Sequence, residues 1–474
     1  MEKVLIGREE ERRKLQEYLT SGKSEFIAVY GRRRVGKTFL IRNVVGQQTC
    51  FSFTGMENAD MADQLMNFHL TLRRLWPSAV RPHSWIEAFD ELQTYLEQLP
   101  SGNKILFFDE LPWLDTTRSK FIAALERFWN GWADGRSDIK LIVCGSATSW
   151  MIDHIINNRG GLHNRKTHQL YVAPFTLYES QCYFKAYGFG YREKEIAECY
   201  MVMGGIPYYY ALMTPKESVA QNIDRLLFSA NGELAREFEN LYHSLFKKAG
   251  DHISVVTALA KKGKGLTRKQ IIETTKLNNN KKLSITLDEL EKCGFIRTYI
   301  PFTNTKRDVL FQLTDAFTLF HFCYSEDNKY QDEKFWTNSL NSAKYRAWSG
   351  YAFELLCLNH IRQIKEALGI SGILTRICCW TSKAEDGHKG AQIDLVIDRA
   401  DQTVNLCEMK FSRGEYEITK VDDESFDNKI EAFLQQTKTK KSLMLTMVTS
   451  FGVKKNKYGG RIQQQVTMND LFRM

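Results

Sequence analysis

At 474 residues, 43% hydrophobic and 26% charged, the chain has the composition of ordinary globular proteins and the length of about three domains. It contains no apolar run near the roughly 20 residues that cross a bilayer, and its ten cysteines include no CxxC pair, which argues against a disulfide framework or a zinc site. The formal charge of +9 is unevenly spread. Residues 261–310 hold twelve Lys/Arg against five Asp/Glu, a balance that suits a polyanion partner or a lysine-rich solvated face. The start, MEKVLIGREEERRK, is charged within its first three residues and lacks the apolar centre of a secretory signal. With thiols inside apolar segments, as Cys144 in KLIVCGSA, a cytoplasmic location is expected.

In chain order, SEFIAVYGRRRVGKTFLIRNVV reads as a buried strand, a loop and a helix. Its centre, Gly31 to Thr38, fits G-x-x-x-x-G-K-[ST]. Glycines there let successive backbone N–H groups turn inward onto phosphate oxygens at the positive end of the following helix. The expected nucleotide contacts are Gly31, Arg32, Arg33, Arg34, Val35, Gly36, Lys37, Thr38 and Phe39. Lys37 would reach the β- and γ-phosphates, and Thr38 would offer a hydroxyl to Mg²⁺. A second buried strand, Ile105–Phe108, ends in Asp109 and Glu110. Asp109 is placed to hold the Mg²⁺ shell and Glu110 to polarise an attacking water, unless both are simply acids at a solvated strand end. A third apolar run, IKLIVCGSATSW, delivers Ser146 and Thr148.

The order IGREEERRKL, GRRRVGKT, ILFFDE, IVCGSATSWM, GLHNRKTHQLYVAPF and MGGIPYYY, over roughly residues 1–230, resembles the archaeal-type ATPase family. That family belongs to the P-loop branch of the AAA and STAND proteins, which includes origin-recognition initiators. The resemblance implies that Ser146 senses the γ-phosphate and that Gly7 and Arg8 lie beside the adenine. It also gives Arg165 a role on the γ-phosphoryl group, in cis or from a neighbouring copy in a homo-oligomer. Asn164 stands where the family has a glycine before that arginine, and the other reading of Arg165 is a surface residue in a basic loop. Pro207, after Gly204 and Gly205, resembles a step in a helical lid or forms a plain turn.

From about residue 240, HISVVTALAKKG, LTRKQIIETTKL with Thr267 as its N-cap, and KKLSITLDELEKCG with Leu283, Leu287 and Leu290 on one face predict helices, and FIRTYIPF and DVLFQLTD predict strands joined by a loop with Lys306 and Arg307. This is the order of a winged helix, whose second helix and wing meet DNA in the nucleic-acid-binding version. That helix would begin with Asn278, Asn279, Asn280, Lys281 and Lys282 as groove and phosphate contacts. Others pack on their own motor or on proteins. After TNSLNSAKYRAW, a polar stretch that reads as a linker, one helix over SGYAFELLCLNHIRQI, holding Glu354, precedes three strands, a helix and a strand. Asp394 then falls on one strand, and Glu408 and Lys410 on one face of the next.

Residues 345–474 resemble the PD-(D/E)xK nuclease-like fold. The resemblance implies Glu354, Asp394 and Glu408 as metal ligands and Lys410 as the positioner of the nucleophilic water, with Gln435 or Gln436 where some members carry a glutamine. No proline precedes Asp394. The expected architecture is α/β: a P-loop NTPase parallel sheet at 1–175, a helical lid at 176–235, a winged-helix domain at 236–330 and a restriction-endonuclease-like domain at 345–474. The expected function is ATP hydrolysis with ATP and Mg²⁺ as cofactors, acting on DNA or RNA and controlling the last domain. The alternative is a nucleotide-gated signalling or scaffold switch whose nuclease-like domain is inert. An open basic-rimmed cleft holding the four C-terminal residues favours the first, and a plugged surface the second.

Overall fold

In the computed structural model, which describes residues 4–157, 166–246, 248–263, 265–302, 309–326, 328, 332–382 and 390–474, the chain forms two units, Met1–Pro174 and Phe175–Met474. The first unit runs α1 (Glu9–Thr20), β1 (Glu25–Tyr30), α2 (Lys37–Val45), β2 (Thr49–Thr54), α3 (Met61–Leu75), α4 (Trp85–Gln98), β3 (Lys104–Asp109), α5 (Phe121–Phe128), β4 (Ile139–Gly145), α6 (Thr148–Trp150) and β5 (His168–Tyr171). Its sheet has the order β2-β3-β4-β1-β5, and every neighbouring pair is parallel. Strands covered by helices on both faces need continuous apolar runs, and β3 and β4 are buried at every position. This is the parallel P-loop NTPase core sheet. Because β3, β4 and β1 are neighbours, the loops at their carboxyl ends converge at one edge, where open α/β sheets bind ligands.

Aromatic side chains fill one face of this sheet. Phe51, Phe53, Phe68, Trp85, Phe89, Phe108 and Phe121 belong to a single buried cluster. Trp85 meets Phe121 edge-on at 4.9 Å and Phe68 at 5.9 Å, the geometry aromatic quadrupoles favour. The helices carrying these rings start on capping side chains: Asp60 accepts from the Asp63 amide and Ser84 from the Glu87 amide.

The second unit begins with α7 (Leu177–Ala186), α8 (Glu193–Met203), α9 (Pro207–Ala211), α10 (Val219–Ile223) and α11 (Glu237–Leu245). Gly204 closes α8 at φ 68° and Pro207 opens α9. Next come α12 (Gly250–Lys262), β6 (Leu266–Thr267), α13 (Arg268–Thr275), α14 (Lys281–Lys292), β7 (Ile296–Tyr299) and β8 (Leu310–Leu313), with an antiparallel sheet ordered β6-β8-β7. Lys306 and Arg307 lie outside the described residues. After α15 (Ala316–Phe320) and α16 (Phe335–Ser339), the chain continues as α17 (Ala343–Asn359), α18 (Ile361–Ala367), β9 (Thr375–Ser382), β10 (Ala391–Arg399), β11 (Thr403–Lys410), α19 (Lys420–Thr437), β12 (Ser442–Thr449) and β13 (Gln464–Thr467). The sheet order is β13-β12-β11-β10-β9. Strands β9 to β11 pair antiparallel, and β11 to β13 pair parallel.

Two expectations for this unit change. The polar stretch 337–348 is mostly helical rather than a linker: Ser342 accepts from the Tyr345 amide to start α17, and Tyr345 and Trp348 are buried. The following helix is also broken at His360. There the Leu177 amide donates to Nε2 at 3.0 Å, and Nδ1 lies 2.8 Å from the Leu356 carbonyl. The ring is therefore neutral, with its proton on Nδ1.

Burial pushes His360 down to about 4, from an ordinary 6.5. The unfolded chain thus takes up a proton below pH 6.5 that the folded chain refuses until about pH 4. Stability from this site is intact above 6.5, falls by about 3 kcal/mol as pH drops through that window, and levels off below it. His321, stacked on Phe238 at 4.1 Å and likewise held near 4 by burial, acts in the same direction. Urea midpoints between pH 7 and 4 check this: His360→Gln is expected to flatten the slope, and an unchanged slope contradicts it.

Candidate nucleotide site

The loop between β1 and α2 is shaped by two glycines in the left-handed half of backbone space, Gly31 (φ 148°) and Gly36 (φ 89°). At Gly31 a Cβ would sit 2.3 Å from the Val172 carbonyl oxygen, so only glycine allows the loop to pass that close to the end of β5. Gly31→Ala is expected to weaken ATP binding by at least about tenfold through displacement of the loop, a loss of about 1.4 kcal/mol. Titration with a fluorescent ATP analogue checks it, and wild-type affinity contradicts it.

Lys37 is the first residue of α2 and is buried. Its ammonium donates to the carbonyls of Gly31 and Arg32 at 2.8 and 2.9 Å, which curls the loop around the side chain. Thr38 points across to β3, where its hydroxyl lies 3.0 and 3.2 Å from the two carboxylate oxygens of Asp109. A hydroxyl and a carboxylate in contact at the N-terminus of a helix form the hard-oxygen donor set that Mg²⁺ takes. Residues Thr38 and Asp109 therefore fit the metal. When bound, Mg²⁺ would supply charge neutralisation to the phosphate oxygens.

Glu110 adopts φ 48°, ψ 49°, a conformation that a non-glycine residue occupies at a cost. Its carboxylate is tied down: Oε2 accepts from the Ser146 amide at 3.1 Å and from the Ser146 hydroxyl at 2.8 Å. The acid at the end of β3 and the polar residue at the end of β4 thus form one hydrogen-bonded pair. Beneath them Cys144 is fully buried. Burial pushes its thiol well up, with Asp109 and Glu110 adding to the effect against the opposing Lys37, so it stays neutral.

Arg8, buried at φ 64°, donates to the Val35 carbonyl at 3.2 Å and the Ala173 carbonyl at 2.6 Å. It braces the loop from behind. Gly7 precedes it, also at positive φ. Arg33, Arg34 and Phe39 are partly exposed around the same loop, and Arg32 and Val35 are buried. Arg165 lies outside the described residues.

In the second unit, the register Leu395↔Cys407 sets Asp394 beside Glu408 on adjacent strands. Glu408 and Lys410 share a face, with Nζ and Oε1 2.9 Å apart. The second oxygen of Glu408 receives Lys429 of α19 at 2.6 Å. Burial works to raise the Glu408 carboxyl, and the two ammonium groups reverse this and hold it low. Lys429 went unrecognised in the sequence. Its signal was its place beside Phe426, Ile430 and Phe433, on the edge of the helix face that packs on the sheet.

Gln435 and Gln436 are exposed near the end of α19. Asp394 accepts from Gln392, and Glu354 lies on α17 near Tyr351. Burial pushes the hydroxyls of Tyr351 and Tyr299 up, against the opposing charge of Arg297, with Asp394 contributing to both. Arg297, whose Nε and Nη2 donate to Gln312, stands beside the same two tyrosines. Among the described residues no group of three or more His, Cys, Asp or Glu side chains is placed to hold a metal ion. Glu408 instead meets Lys410 and Lys429.

Comparison with known proteins bears on the first site. Residues 5–213 match the family described as an ATPase domain predominantly from Archaea. The chain is 25% identical over 414 residues to the uncharacterized protein MJECL04 of Methanocaldococcus jannaschii, covering 86% of this chain and 88% of that protein. Among solved structures it is similar to the Walker-type ATPase paby2304 of Pyrococcus abyssi, at 20% identity and TM-score 0.46, covering 67% of this chain and 96% of that one. It is also similar to the ORC2 protein of Aeropyrum pernix, at 14% identity and TM-score 0.41, covering 68% of this chain and 95% of that one.

Proposed function

We propose that the archaeal-type P-loop ATPase domain carried by residues 5–213 hydrolyses ATP with Mg²⁺ to govern nucleic-acid binding by residues 175–474. Lys37 and the loop amides bind the triphosphate, Thr38 and Asp109 hold the metal, and Glu110 orients the attacking water once it leaves Ser146. Gly7 and Arg8 flank the adenine, and Arg165 neutralises the γ-phosphoryl group in cis or from another copy. Residues 250–313 act as a winged helix: Asn280 caps α14 and Asn279 accepts from Arg268, while Lys276 and Lys281 are exposed. All ten cysteines are free thiols, in keeping with a cytoplasmic location. No helix among the described residues is long and apolar enough to cross a membrane.

The PD-(D/E)xK-like sheet at 345–474 holds nucleic acid and does not cut it. The observation that carries this is the Lys410–Glu408–Lys429 cluster, in which each carboxylate oxygen of Glu408 is met by an ammonium group. A carboxylate engaged in this way is not open to a dication, and the two ammonium groups are of the kind that meet phosphate oxygens. A plasmid-nicking assay with Mg²⁺, with and without ATP, is expected to leave supercoiled DNA intact. Nicking that Asp394→Ala abolishes would restore the nuclease reading. The alternative, a nucleotide-gated scaffold, shares the inert sheet and differs in binding no oligonucleotide.

A further inference from the structure

A cleft of about 680 Å³ opens in the second unit where α8, the start of α17 and the chain leaving β11 meet. Lys194 and Glu198 line it from α8, Tyr345 and Arg346 from α17, and Phe411 and Arg413 from the segment just past Lys410. The one acid is already engaged: Lys194 lies 3.8 Å from the Glu198 carboxylate, and the Tyr345 hydroxyl donates to it at 3.2 Å. Both guanidinium groups are anchored on one turn. Arg413 donates to the Asn341 side chain at 2.7 Å, and Arg346 to the Asn341 carbonyl at 3.2 Å. Each keeps further N–H donors and is exposed. Phe411 is fixed by packing on Phe353 at 5.4 Å.

The segment after β11 runs beside the one after β12, joined by the Tyr416 amide on the Gly452 carbonyl and the Lys454 amide on the Tyr416 carbonyl. Exposed Lys454 thus stands beside Tyr416, partly offset by Glu417 at 3.0 Å. A single small anion would need one cation, whereas Lys194, Arg346 and Arg413 together suit a chain of phosphates. Aromatic and arginine planes beside a cationic track form the recognition surface of single strands.

We infer that this cleft binds single-stranded nucleic acid, its phosphates on Lys194, Arg346 and Arg413 and a base against Phe411. The inference rests on the nucleic-acid reading above and specifies where the strand sits. The test uses the full chain and a short fluorescent oligothymidylate, read by anisotropy across a salt series. Arg346→Glu/Arg413→Glu is expected to weaken binding by at least about tenfold and to lower the salt slope by about two phosphate contacts. ATP turnover without oligonucleotide should stay unchanged, and a wild-type thermal melt and circular dichroism spectrum of the full chain report an intact fold. Arg346→Gln/Arg413→Gln, which adds no new charge, is expected to show a smaller loss in the same direction.

Wild-type affinity and slope in both variants would overturn this site while leaving the nucleic-acid reading standing. Absence of binding to any single- or double-stranded probe by the wild-type chain would overturn both. Competition by polyglutamate as effective as by unlabelled oligonucleotide of equal charge would also overturn it, since a base contact on Phe411 must discriminate between them.

Discussion

Lys37→Ala is expected to lower ATP turnover by about 100- to 1000-fold or more, the loss that follows removal of a preorganised group facing developing charge. The ammonium is buried and held by two loop carbonyls, so its position is set before nucleotide arrives. Alanine leaves those carbonyls without their donor, at a cost of about 1–3 kcal/mol. The apolar side of α2, with Leu40, Ile41 and Val45, is untouched, and the domain remains folded. Phosphate release and a thermal melt on the same preparation check this. Wild-type turnover in a folded variant would remove Lys37 from the reaction.

Glu110→Gln is expected to lower turnover by about 100- to 10,000-fold, the range for loss of a general base, while ATP binding stays near wild type. Binding persists because Thr38, Asp109 and the loop are unchanged, and the amide oxygen of glutamine still accepts from Ser146. The strained backbone of residue 110 (φ 48°) keeps its anchor as well. Parallel measurements of nucleotide affinity and phosphate release separate the two effects. If affinity falls as far as turnover, Glu110 is a structural brace. Ser146→Ala tests the same pair from the other side, since it frees the carboxylate without removing it.

The first unit was legible because its chemistry is local. The loop, its lysine and threonine occupy eight consecutive positions, and the strand carrying Asp109 announces itself as an unbroken apolar run. The hydrogen bond between Glu110 and Ser146 was not legible, although both residues were named: it depends on β3 and β4 being neighbours in the sheet, which no spacing along the chain records. In the second unit, the leucines at 283, 287 and 290 and the cap at Thr267 were read from periodicity and are buried and bonded as such patterns require. The asparagines expected to contact nucleic acid are partly spent on local bonds, because a helix N-terminus needs its amides satisfied first.

The acidic edge at Asp394 and Glu408 was placed correctly on adjacent strands by alternation. The electrostatics of Glu408 came partly from Lys429, which lies 21 residues away in sequence and reaches it only through packing. Strand β13 was missed because four residues, QQVT, carry too little periodicity to read. The break at His360 was missed for a related reason: it depends on a hydrogen bond to Leu177, far away in the chain.

The measurement that bears most directly on ATP-governed nucleic-acid binding is the steady-state rate of phosphate release by the full chain, with and without saturating oligonucleotide. The rate is expected to change at least about twofold on addition of oligonucleotide, with Arg346→Glu/Arg413→Glu losing the response and keeping the basal rate, because a strand bound more tightly to one nucleotide state shifts the population on which hydrolysis and release act. A rate indifferent to every nucleic acid tested would contradict the account.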